Sequence, residues 1–124
     1  MARILLAEDE EALRAFVARA LAQDGHEVVA TADGGEALDV LTRDKGRFDL
    51  LLTDIRMPVM DGIALALAAA RDYPELMILL MTGYADQRER AHGLDALIHD
   101  VIAKPFLLTD IRKAVNGALV ARGR

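Results

Sequence analysis

Two kinds of apolar pattern alternate along this chain, and that alternation limits what it can fold into. Short unbroken runs occur at Ile4–Ala7, Val28–Ala30, Leu50–Leu52, Met77–Met81 and Val101–Ala103. They have the length of strands, and runs apolar at every position suit strands buried on both faces. Between them apolar residues fall at helical spacing: Leu13, Phe16, Val17, Ala20 and Leu21, then Ala37, Leu38 and Leu41, and last Ile111, Ala114, Val115, Ala118 and Leu119. Ile63, Leu65 and Leu67 lie in an alanine-rich stretch of high helix propensity. Ala85–Leu94 is the weakest helix, with only Ala91 and Leu94 clearly apolar. Asp24-Gly25, Asp33-Gly34-Gly35, Lys45-Gly46 and Tyr73-Pro74 read as breaks between elements, and Thr109 reads as the N-cap of the last helix. Five strand–helix units in alternation predict an α/β fold, a doubly wound five-stranded parallel sheet with five helices.

A chain of 124 residues fits one domain, 1–124, and after Lys104 only about one helix of chain is left, too little for an output domain. Its 53% hydrophobic and 28% charged residues argue against disorder. A net charge of -5 lacks the basic excess of a nucleic-acid binder. The absence of cysteine excludes disulfides, thiolate metal sites and cysteine nucleophiles. No apolar run approaches the ~18 residues that span a bilayer, and Glu8 comes too early for a signal peptide. A cytoplasmic protein that binds neither nucleic acid nor membrane is expected.

Four of the apolar runs end in polar residues of specific character: Glu8-Asp9, Thr53-Asp54, Thr82 and Lys104. In doubly wound sheets, ligand sites form outside the carboxyl ends of the strands. With neighbouring strands ~4.8 Å apart, the carboxylates of Glu8, Asp9 and Asp54 converge if their strands are adjacent. Three like charges in one crevice repel unless a cation neutralises them. Oxygen donors with no histidine or cysteine point to a hard cation, and Mg²⁺ suits a site of a few carboxylates, waters and a phosphate. Lys104 supplies a compact positive charge for a phosphoryl oxygen, Thr82 a hydroxyl donor, and Gly83 space for an incoming group. An aspartate is a known covalent phosphoryl acceptor. The constellation reads as an Mg²⁺-dependent phosphoryl-transfer site with Asp54 as acceptor.

These residues carry a family resemblance along nearly the whole chain. Asp54-Ile55-Arg56-Met57-Pro58-Val59-Met60-Asp61-Gly62 resembles the phosphoacceptor loop of response regulator receiver domains, the CheY-like family. Glu8-Asp9, Thr82-Gly83 and Lys104-Pro105-Phe106 match it in order and spacing. The resemblance implies the flavodoxin-like strand order 2-1-3-4-5. It implies that Asp54 takes a phosphoryl group from a sensor histidine kinase or a histidine phosphotransfer protein, and that Asp9, Asp54, Glu8 and the backbone carbonyl of Arg56 hold Mg²⁺. It implies further that Lys104 pairs with the phosphoryl oxygens through a cis bond to Pro105, and that Thr82 moves to hydrogen-bond the group. Receivers commonly carry Tyr or Phe three residues before the lysine; here Val101 stands there, which makes Tyr84 the nearest replacement for that aromatic switch. Arg56 and Tyr84 flank the acceptor and are expected to set the lifetime of the acyl phosphate. In length and sequence the chain is similar to single-domain regulators of the CpdR type, adaptors that control the ClpXP protease, which would make ClpX a downstream partner. A phosphorelay intermediate and a motility switch suit the same residues.

Plainer readings exist for each part. Glu10 and Glu11 suit the acidic first turn of a helix. Asp54, Pro58 and Asp61-Gly62 taken alone would make a surface turn, Lys104 a solvated lysine, and Thr82 a strand end. The four signals outweigh these readings by landing together at strand ends. Met57, Met60, Met77 and Met81 read as packing, His26, His92 and His99 as surface residues, and Arg88-Glu89-Arg90 as a solvated helix face. A small aspartate-nucleophile phosphatase of the haloacid dehalogenase kind would want a second Asp where Arg56 stands, and more chain. A degenerate receiver serving only as an interaction module fits poorly with the intact acids. A signalling switch, not a turnover enzyme, is the expected function.

Overall fold

The computed structural model describes residues 2–83, 91 and 93–123. Its strands are β1 (Arg3–Ala7), β2 (Glu27–Thr31), β3 (Leu50–Asp54), β4 (Met77–Thr82) and β5 (Asp100–Ala103). All pair in parallel in the order β2-β1-β3-β4-β5, as the resemblance implied. The helices are α1 (Glu11–Gln23), α2 (Gly34–Arg43), α3 (Gly62–Asp72) and α4 (Leu108–Arg122). The described residues thus hold four helices, not five. The expected helix over 85–94 falls almost wholly outside the described residues, as do Tyr84, Arg88-Glu89-Arg90 and His92.

Side-chain alternation sorts the inner strands into two cores. Leu5, Leu51, Ile78 and Leu80 face α2 and α3, where Leu41, Leu65 and Ala66 meet them. Their neighbours Ile4, Leu6, Leu50, Leu52, Leu79 and Met81 face α1 and α4, against Val17, Leu21, Ile111 and Val115. Both faces are covered, so these strands read as unbroken apolar runs. The rule does not extend to β2 and β5, edge strands that stay partly open to solvent. Met57 and Met81 are buried, and Met60 and Met77 pack against the two clusters, as expected of packing residues.

Three local expectations are corrected. The break at Asp33-Gly34-Gly35 falls as expected between β2 and α2 but is shorter: Asp33 caps α2 by accepting from the Glu36 N–H at 2.7 Å, and both glycines lie in its first turn. They are small because the neighbouring loop crowds them, Gly34 against the Met60 carbonyl and Gly35 against Val59. The N-cap of α4 is Leu107, not Thr109, and Asp110 closes the first turn by accepting from the Leu107 N–H at 2.8 Å. Phe16, assigned to the buried stripe of α1, is 53% exposed. Val17 and Leu21 fill that stripe instead, and Phe16 turns to the rim of the site described below.

Val59 sits at φ 71 with 86% of its surface exposed. That left-handed conformation is unfavourable for a β-branched residue by about 1–2 kcal/mol, whereas Asn adopts it readily. Val59→Asn is therefore expected to raise the free energy of unfolding by about 1 kcal/mol; an unchanged or lower denaturant midpoint would show that the loop is not strained there.

Candidate functional site

The parallel register brings the polar strand ends together. Ala7 pairs with Thr53, and Thr53 with Leu80, so the residues that follow β1 emerge beside the end of β3 and the end of β4. Three backbone bonds carry the ladder past the strands: the Glu8 N–H donates to the Thr31 carbonyl at 3.1 Å, Ile55 to Met81 at 3.2 Å, and Lys104 to Thr82 at 2.7 Å. The acidic residues and the lysine are thus set by sheet geometry, not by loose loops.

Glu8, Asp9 and Asp54 each present a carboxylate oxygen within 4.8 Å of the other two. Glu8 is wholly buried and Asp54 nearly so, while Asp9 is exposed. The Lys104 ammonium bridges the buried pair, donating to Glu8 Oε1 at 2.9 Å and Asp54 Oδ2 at 3.0 Å. The remaining oxygens are held by backbone: Asp54 Oδ1 accepts from the Ile55 N–H at 2.9 Å, and Glu8 Oε2 from the Glu10 N–H at 3.0 Å. Glu8, Asp9, Asp54, Arg56, Gly83 and Lys104 line one cavity of about 620 Å³. Thr82, buried, ends the strand beside it. Lys104-Pro105 is a cis peptide. Val101, paired with Leu80, packs against the core on the α2 and α3 side.

Other residues contribute through contacts that the sequence pattern does not show. Arg14 donates to the Glu8 carbonyl at 2.9 Å and so holds the loop that presents the acids. Thr53 Oγ1 donates to the Asp54 carbonyl at 2.8 Å. Gly62 packs so closely that a Cβ there would overlap that same carbonyl, and its N–H donates to Ile55 at 2.7 Å. Leu13, Phe16, Pro105 and Phe106 add an apolar wall to the cavity. Gly83, expected to leave space for an incoming group, lines the cavity, and a Cβ there would come no closer than 3.9 Å to the Lys104 stem.

Burial pushes the Glu8 carboxyl above the ordinary carboxylate range; the Glu10 N–H and Lys104 oppose the shift, and the Asp54 charge adds to it. Burial draws the Lys104 ammonium down, but its bonds and charges with Glu8 and Asp54 outweigh this and raise it overall. A carboxyl raised by folding favours the native state in acid, and that contribution is lost as pH rises through its native value. At neutral pH the buried Glu8 charge therefore costs stability. The donor set, all oxygen and over-supplied with negative charge, can hold a hard cation. Glu8→Gln should melt higher than the parent at pH 7 in metal-free buffer, with the gap closing as the pH is lowered; a gap that widens in acid contradicts this account.

A family model described as the response regulator receiver domain matches residues 4–116. The response regulator receiver protein CpdR of Brucella abortus is 39% identical over 121 residues, covering 98% of this chain and 99% of that protein. The response regulator MprA of Mycobacterium leprae is 35% identical over 117 residues, 94% of this chain but 50% of its own length. Among solved structures, the response regulator TrrA of Thermotoga maritima in complex with Mg(2+)-BeF superposes with a TM-score of 0.85 at 27% identity, covering 96% of this chain and 100% of that one. With the strand order, the acids at the carboxyl ends and the bridging lysine in place, these matches make the chain a member of the response regulator receiver domain family.

Proposed function

We propose that this chain is a phosphorylation switch in which Asp54 accepts a phosphoryl group and the change is read by a protein partner. The observation that carries the reading is the Lys104 ammonium shared between Glu8 and Asp54, beside three carboxylates within 4.8 Å. The donor is a phosphohistidine on a sensor histidine kinase or histidine phosphotransfer protein. One carboxylate oxygen of Asp54 forms the O–P bond while the P–N bond of the donor breaks, its electron pair staying on the imidazole. Phosphoryl transfer asks a protein for position and charge compensation above all. Asp54 is positioned by the Ile55 N–H and by Lys104. Mg²⁺, held by Glu8, Asp9, Asp54 and the Arg56 carbonyl, supplies neutralisation of the phosphoryl oxygens when bound. TrrA, solved with Mg(2+)-BeF, supports that assignment.

Once phosphorylated, Asp54 carries ~-1.5 to -2 charges, which Lys104, already bonded to Asp54, and the Thr82 hydroxyl answer. Each charge-assisted bond contributes ~1.5–3 kcal/mol, so a few approach the ~5.5 kcal/mol that moves a two-state surface from mostly off to mostly on. The responding surface takes in Val101–Ala103 and Leu107–Leu119, and the role of the aromatic that Val101 lacks falls to Tyr84, which lies outside the described residues. Arg56 and Tyr84 restrict attacking water and set the lifetime of the acyl phosphate. The likeness to CpdR supports control of the ClpXP protease through ClpX as the output. No helix among the described residues is long and apolar enough to cross a membrane, and a cytoplasmic setting suits a kinase-driven switch that turns over no substrate of its own.

Three outcomes test this reading. Incubation with acetyl phosphate and Mg²⁺ should add the mass of one phosphoryl group at residue 54, and Asp54→Ala should add none; labelling elsewhere or not at all ends the proposal. Mg²⁺ should raise the unfolding free energy by about 2.7 kcal/mol at a hundredfold excess over its dissociation constant, and Asp9→Asn should lose most of that gain in a calorimetric titration. Arg56→Ala and Tyr84→Ala should each speed loss of the acyl phosphate; wild-type rates would remove both residues from that role.

A further inference from the structure

At the opposite end of the sheet, Arg3, Arg43, Asp44, Lys45 and Arg47 line a second, wholly charged cavity of about 300 Å³. It forms where α2 ends and the chain turns back to enter β3. At ~3.3 Å per residue, the length of β3 separates it from Asp54 by roughly 13 Å, so it belongs to no part of the phosphoryl site.

The cavity is built rigidly. Lys45 and Gly46 reverse the chain at φ 55 and φ 69. The turn is fastened by bonds from the Lys45 N–H to Thr42 at 3.0 Å, Gly46 to Leu41 at 2.8 Å and Arg47 to Asp44 at 3.1 Å. The Arg3 guanidinium closes the floor: it meets Asp44 at 2.8 Å, Glu27 at 2.7 Å and the Arg47 carbonyl at 2.8 Å, and stacks 4.2 Å over the Phe48 ring. Arg3 is thereby shared between Asp44 and Glu27, which together exceed it by one negative charge. Arg43, Lys45 and Arg47 are exposed and make no side-chain hydrogen bond or ion pair among the described residues. In a chain of net charge -5, Arg43, Lys45 and Arg47 outnumber the one carboxylate charge that Arg3 leaves over, so this cavity carries a local positive excess. The α2 dipole accounts for Arg43 at the helix end, but Lys45 and Arg47 lie beyond it.

We propose that this cavity docks an acidic segment of a partner protein, whose Asp and Glu carboxylates enter against Arg43, Lys45 and Arg47. A protein segment is favoured over nucleic acid because the complementarity is local. Two or three carboxylates meet the cations, whereas an extended polyanion also meets the field of a negatively charged chain. A partner held there leaves the acidic cavity at the other end of the sheet open to its phosphodonor.

The test is an NMR titration of the ¹⁵N-labelled chain with blocked hexaglutamate, with an oligothymidylate of equal charge as the second arm. Saturable shifts centred on residues 43–48, weakening as salt is added, are expected. Arg43→Glu combined with Arg47→Glu should lower the peptide affinity about tenfold or more with an unchanged fold by circular dichroism. Lys45→Gln, a milder change, should lower it in the same direction. Shifts scattered elsewhere, affinity indifferent to both variants, or oligothymidylate binding as tightly as the peptide would each overturn the proposal.

Discussion

One ammonium group between two buried carboxylates organises the working end of this protein. Lys104 reaches from the end of β5 across β4 to Asp54 and to Glu8 beyond it, so a single side chain ties together residues ninety-six positions apart in sequence. Burial disfavours an uncompensated carboxylate, and it pushes the Glu8 carboxyl above the ordinary range even with Lys104 beside it. With Lys104 between Glu8 and Asp54 the pair is tolerated but not balanced: Lys104 bridges the two buried acids, and the exposed Asp9 brings a third carboxylate within 4.8 Å of both. That excess negative charge gives the site its appetite for a divalent cation, and it makes the site costly while no cation is bound. The chain accepts a locally unfavourable arrangement where its chemistry happens, and the surrounding sheet holds that arrangement in place.

The means of holding it are ordinary. The strands β1, β3 and β4, which lead to the acids and Thr82, are inner strands whose side chains alternate between two filled cores, and the edge strand β5 brings in Lys104. The loop after β3 is fastened from three directions: Gly62 closes on the Asp54 carbonyl, Thr53 donates to that carbonyl, and α2 leans on Met60 and Val59 through its two N-terminal glycines. The cost shows at Val59, a β-branched residue in a left-handed conformation. At the far end, Arg3 clamps β1 to the turn before β3 by ion pairs, a carbonyl bond and a stacked ring. The molecule is pinned at both poles, with opposite charge displayed at each.

Much of this was legible in the residues because the relevant physics is periodic or compositional. An apolar run of strand length followed by helical spacing identifies a strand–helix unit wherever it occurs, and the residue that ends the run must emerge at the carboxyl edge. Glu8, Asp54, Thr82 and Lys104 could therefore be placed at one edge before any coordinates. The misreadings had local physical causes. Phe16 fits the helical spacing of its buried neighbours, but periodicity does not say where the stripe ends, and the helix rolls Phe16 onto the rim of the cavity. Asp33-Gly34-Gly35 has turn composition, yet the Asp33 cap and the crowding by Met60 convert it into a helix start. Arg14 went unnoticed, and Thr53 was read only as a polar strand end, because each contributes a hydrogen bond to a backbone carbonyl, which no spacing announces.

The sequence by itself determined the order of elements, the parallel sheet and the identities of the acids and the lysine, since these follow from hydrophobic period, residue chemistry and motif register along the chain. Only the tertiary structure decided which oxygens Lys104 bridges, that Glu8 is buried while its neighbour Asp9 stays in solvent, and that Arg43, Lys45 and Arg47 share a cavity with Arg3. Those outcomes depend on distances between residues remote in sequence. Such distances are set when the two cores close on the sheet and fix its register, and no local pattern contains them.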